Sequence, residues 1–100
     1  FKKKMKKFNT IEEIRNEIDK LDLKIVELIS QRKDLVSEVV KLKRKDQIID
    51  QERIDQILKK LNLEAKKRGI PEVMIEKLWD IMIKSFIKYE EEIYDEVHKK

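Results

Sequence analysis

TIEEIRNEIDKLDLKIVELISQRKDLVSEVVKLKRKD, residues 10–46, decides the fold. It holds no Gly and no Pro, so nothing local stops a helix once one has begun. Thr10 and Glu13 stand at capping-box spacing, with Thr10 as the N-cap and Glu13 three residues on. Apolar residues then recur at Ile14, Ile18, Leu21, Ile25, Leu28, Leu35, Val39 and Leu42. The intervals alternate four and three, the heptad seam of helices that pack side by side. The spacing predicts a helix of roughly 35 residues, a rod of roughly 50 Å. One seam position, Arg32, carries a charge.

Beyond this rod, a short link around residues 46–49 leads to Asp50, a good N-cap for a second helix. Ile54, Ile57, Leu58, Leu61 and Ala65 give that helix its apolar stripe. Gly69, the only Gly, ends it, and Pro71, the only Pro, opens a third helix running to about His98. One stripe of the third helix reads Trp79, Ile83, Phe86, Glu90, Ile93, Val97, interrupted by Glu90 as the first seam is by Arg32. No alternating run of β-branched or aromatic residues bounded by turns is present, so the expected fold is all-α, three helices with a long first one. The expected organisation is a basic N-terminal tail at 1–9, disordered, and one helical domain at 10–98.

A chain of 100 residues makes one domain with a modest core. Long helices with apolar seams imply that a second copy supplies the rest, so an intertwined homodimer is expected. With no Cys and one His, in a C-terminal turn expected to fray, no metal site and no cofactor are expected. The N-terminal block Phe-Lys-Lys-Lys-Met-Lys-Lys-Phe is basic but lacks the apolar core of a secretory signal. The start at Phe1 suggests a trimmed initiating residue. No apolar run approaches a membrane span, and the expectation is a cytoplasmic protein that does not bind membranes. The net charge is +4, but 25 basic residues are interleaved with 21 acidic ones. That mixture reads as a solvated surface rather than a nucleic-acid footprint.

Charges within apolar stripes are costly unless paired or used. Arg32 can snorkel from the seam edge or pair with Glu90 or another acid. Lys43 follows Arg32 by eleven residues, three turns, which puts both on nearly the same face about 16 Å apart. Their long side chains can lean toward a small anion between them. Arg15 precedes Arg32 by seventeen residues, about 25 Å along the rod and about 100° around it. Arg15 and Arg32 of one chain therefore cannot easily grip one small ligand, and if both bind the same molecule, Arg15 comes from a second chain.

Arg15-Asn16-Glu17-Ile18-Asp19-Lys20-Leu21-Asp22, followed by Ile25, Leu28, Ile29, Arg32, Val36, Val40 and Lys43, resembles the long first helix of the all-helical chorismate mutases. Asp50-Gln51-Glu52-Arg53 is similar to that family's Asp-x-x-Arg at the start of the second helix, and the likeness spans about residues 10 to 95. The resemblance implies an isomerase of aromatic amino acid biosynthesis, a dimer with two shared active sites. Arg32 and the second chain's Arg15 would hold the two carboxylates of chorismate, with Arg53 at the rim. Lys43 would donate to the ether oxygen. Glu90 matches a position, usually Gln, that also reaches this oxygen. Asp50 would touch the substrate through its backbone or a ring hydroxyl.

Two positions depart from the family pattern. Ile54 replaces a Glu that holds the ring hydroxyl, and Phe86 stands where Ser is common; both would still line the substrate. The link between Lys43 and Asp50 is also about two residues short. Isochorismate-pyruvate lyases, a related branch with an apolar residue at the position of Ile54, remain the alternative enzyme class. A non-catalytic helical interaction module is the third.

Overall fold

The structure, a computed structural model, describes residues 7–99. It is all-α among these residues: α1 spans Ile11–Leu42, α2 Gln51–Arg68 and α3 Glu72–Val97, with one 3-10 turn at Lys45–Gln47. The three expected helices are present in the expected order. Residues 1–6 of the expected tail lie outside the described residues, and Lys7 to Asn9 precede α1 without helical structure. None of these helices is long and apolar enough to cross a membrane.

Contacts divide the chain into two units, residues 1–32 and 33–100. In the first, α1 starts as its sequence predicts. The Glu13 N–H donates to Thr10 Oγ1 at 3.1 Å, and the Glu13 carboxylate accepts from the Asn9 N–H at 3.2 Å. The returning bond thus goes to the residue before the N-cap, so two otherwise partnerless N–H groups are still satisfied. The seam residues Ile14, Ile18, Leu21, Ile25 and Leu28 leave 42% to 60% of their surface exposed.

The second unit is an α2–α3 hairpin with the last turns of α1. Asp50 caps α2, its carboxylate accepting from the Arg53 N–H at 3.0 Å. Gly69 closes α2 in the left-handed region at φ 68°, and the Ile70 N–H reaches back to the Ala65 carbonyl at 2.9 Å. This is a Schellman-type stop, which glycine enters without steric cost. Pro71 is the N-cap of α3. Across the hairpin Asn62 Nδ2 donates to Glu76 Oε1 at 3.3 Å.

The stripe read on α3 faces inward: Ile83 and Glu90 are buried, and Trp79, Phe86, Ile93 and Val97 are half-buried. The α2 stripe likewise runs through half-buried Ile54, Ile57, Leu58 and Leu61 to buried Ala65. The end of α1 differs from the heptad reading. Val36, Ser37, Val40 and Lys43 form the sheltered row, whereas the seam residues Leu35 and Leu42 are 68% and 88% exposed. Only Val40, Ile48, Ala65 and Ile83 are buried hydrophobics among the described residues. Such a core is thin for the length, as the size argument anticipates.

A Cβ added at Gly69 would meet no atom within 4 Å, so only its backbone conformation resists substitution. Gly69→Ala is expected to cost about 1 kcal/mol, read as a lowered urea midpoint at fixed protein concentration. An unchanged midpoint would show that the left-handed stop is not required.

Candidate active site

Lys43 follows α1 directly, and residues of α1, α3 and the link meet it. Its backbone N–H still bonds the Val40 carbonyl at 3.2 Å, as in a last helical turn. Its ammonium lies 2.9 Å from Glu90 Oε1 on α3 and 3.4 Å from the carbonyl of Ile48 in the link. Its own carbonyl accepts from the Tyr94 hydroxyl at 3.2 Å. The ion pair is sheltered, with side-chain exposure of 22% for Lys43 and 9% for Glu90. Eight other ion pairs among the described residues, Arg15–Glu12 and Lys84–Asp80 for instance, join side chains at least 44% exposed. Exposed pairs contribute little, whereas a sheltered one constrains both partners.

The link shapes the ground beside this pair. The Arg44 N–H donates to Gln47 Oε1 at 2.8 Å, the Gln47 N–H returns to the Arg44 carbonyl at 2.9 Å, and Arg44 Nε meets Asp46 Oδ1 at 3.2 Å. These bonds fold the link into its 3-10 turn and press Ile48 inward while Ile49 stays exposed. The result is an open cleft of about 340 Å³ lined by Lys43, Asp46, Gln47, Ile49, Asp50 and Gln51. A Lys ammonium has three donors. Glu90 and the Ile48 carbonyl take two, which leaves one for a ligand.

The structure brings Lys43 together with Glu90, and Lys43 together with Asp50 on the cleft wall. Arg53 is exposed on the first turn of α2, its backbone tied to Asp50. Ile54 and Phe86 are half-buried, and the Phe86 ring meets Tyr89 edge-on at 6.4 Å. In the first unit, Arg15 is exposed and paired with Glu12 at 3.1 Å, and Arg32 is half-buried. Among the described residues no group of three His, Cys, Asp or Glu is placed to hold a metal ion.

The cleft residues Asp46, Gln47, Ile49 and Gln51 were not anticipated. The pair Ile48-Ile49 was the available signal, since an apolar pair within a polar link marks a segment folded onto something. His98 corrects the sequence reading more directly. It is not a frayed end: its Nε2 lies 2.9 Å from the Val40 carbonyl, and its ring stacks on Tyr94 at 4.1 Å.

The family model described as chorismate mutase type II matches residues 14–91. A search of curated proteins finds no match.

A sheltered charge left without its partner is destabilising, whereas removing both charges is far less so. Lys43→Met and Glu90→Leu are each expected to cost about 2 kcal/mol, and the double variant clearly less than their sum. Strictly additive losses in urea unfolding would show that the pair is not coupled.

Proposed function

The chain belongs to the chorismate mutase type II family, a family of isomerases, and from that premise we propose that it rearranges chorismate to prephenate. The observation that carries the reading is the ammonium of Lys43, fixed by Glu90 and the Ile48 carbonyl at the edge of a cleft. The reaction is an intramolecular Claisen rearrangement and needs no nucleophile. The enolpyruvyl chain must fold over the ring, the ether C–O bond breaks ahead of C–C formation, and negative charge grows on the ether oxygen. A held cation stabilises that oxygen more in the transition state than in the substrate, which is what accelerates the step. Arg32 and Arg15, clamping the two carboxylates, select the folded conformer. Arg53 closes the rim, and Asp50, Ile54 and Phe86 bound the ring. The setting we propose is aromatic amino acid biosynthesis in the cytoplasm.

A second copy of the chain completes this site. Arg15 and Arg32 lie about 25 Å apart on one helix, too far to share one small dianion. The exposed apolar seam of α1 and the thin core both call for a covering helix, and an identical seam fits it. Ile54 favours a second reading on the same machinery. An apolar side chain at the position expected to hold the ring hydroxyl suits elimination of pyruvate from isochorismate.

Separate incubation with chorismate and isochorismate, with products identified, is expected to give prephenate from the first and no pyruvate from the second. Pyruvate from isochorismate alone would replace the mutase with the lyase. Lys43→Ala and Arg32→Ala are expected to lose about 100-fold or more in kcat/KM with helicity and oligomeric state retained. Near-normal turnover in either would remove it from the site.

Glu90 donates to the ether oxygen only when protonated. Glu90→Gln, a donor at every pH, is expected to flatten the kcat profile; identical profiles would rule Glu90 out as donor.

Mixing inactive Arg15→Ala and Arg32→Ala chains is expected to rebuild one intact site per heterodimer. No recovery after verified subunit exchange would contradict the shared site.

A further inference from the structure

The last carbonyls of an α-helix have no partner within it. At the end of α1 and just beyond it, side chains of α3 and its C-cap add partners. His98 Nε2 lies 2.9 Å from the Val40 carbonyl, and the Tyr94 hydroxyl donates to the Lys43 carbonyl at 3.2 Å. A carbonyl can only accept, so His98 carries a proton on Nε2. The two rings stack, centroids 4.1 Å apart and planes 23° from parallel. Glu90 and Tyr94 on α3 and His98 at its C-cap are spaced four apart and thus share one face. One row of side chains therefore holds Lys43 by its ammonium and by its carbonyl, and holds the turn before it at Val40.

We infer that Tyr94 and His98 are positioning residues for Lys43, fixing the backbone from which its ammonium is delivered to the substrate. The inference rests on the reading that Lys43 acts on the ether oxygen. A lysine reaches its target through a long flexible stem, so Glu90 alone fixes only the tip, and in the transition state the tip must turn to the substrate. What then sets its reach is the position of the Lys43 backbone. That residue has already left the helix, and within the helix its backbone keeps only the bond to Val40. Electrostatic help at a reacting atom falls steeply with misplacement of the order of 1 Å. The Tyr94 hydroxyl is the contact that prevents such drift, and the stacked His98 ring and its bond to Val40 hold Tyr94 and the helix end in register.

Tyr94→Phe keeps the ring and its stacking and removes only the hydroxyl, and His98→Phe keeps an aromatic ring but removes both ring nitrogens, the N–H donor among them. The tests are kcat and KM for chorismate and the ¹⁵N-resolved ammonium signal of Lys43 in the ligand-free protein. Tyr94→Phe is expected to lower kcat about 10-fold with KM changed less than about twofold, and to broaden or shift the Lys43 signal. His98→Phe should act in the same direction more weakly. A lowered Tm with kcat and the Lys43 signal unchanged would reduce both residues to helix caps and overturn the inference. If wild type fails to convert chorismate, the functional reading falls, while the Lys43 signal still decides whether Tyr94 and His98 hold that side chain. If either variant does not fold, the other carries both measurements.

Discussion

A carboxylate in the middle of an apolar stripe has to be answered by a cation, and Glu90 is answered by Lys43. Around that pair the second unit is arranged. The pair joins the end of α1 to the middle of α3, and the Ile48 carbonyl brings the link in as a third party. Hydrophobic packing alone gives this part of the chain few fixed points, since Val40, Ile48 and Ile83 are the buried hydrophobics nearest to it in sequence. The polar contacts of Lys43, Tyr94 and His98 supply the rest. A buried ion pair is poor evidence for stability against an apolar substitute. Its presence here is consistent with the ligand role proposed for Lys43.

Much of the fold was legible because helix signals are local. Thr10 and Asp50 start helices, Gly69 and Pro71 divide α2 from α3, and the α3 stripe from Trp79 to Val97 faces inward with Glu90 among the sheltered residues. The end of α1 was placed about four residues late, near Asp46 rather than Leu42. No Gly or Pro marks that stop. The Val40 carbonyl in its last turn and the Lys43 carbonyl just beyond it are met by His98 and Tyr94, more than fifty residues away in sequence, and no window along the chain displays such a cap. The same distance made His98 look like a frayed end.

The heptad seam of α1 covers little within one chain. The sheltered row at the end of α1 is Val36, Ser37, Val40 and Lys43, turned away from Leu35, Val39 and Leu42. A helix with two apolar rows has two surfaces to satisfy, and one chain satisfies one. The second copy proposed for the other would also bring Arg15, which a single rod cannot deliver. Of the proposed site residues, Arg32 and Glu90 stand out because each interrupts an apolar stripe, and Lys43 because it follows Arg32 by three turns on nearly the same face. The cleft walls did not, because the link that forms them owes its shape to hydrogen bonds among Arg44, Asp46 and Gln47.

The central claim is that the Lys43 ammonium recognises an ether oxygen bearing negative charge. Two bicyclic dicarboxylates shaped like the rearranging transition state test it, one with the ether oxygen and one with a methylene in its place. Measured by calorimetry, the wild type should bind the ether compound about 10-fold or more tightly, and Lys43→Met should bind the two alike. A preference that survives in Lys43→Met, or that the wild type never shows, would contradict the account.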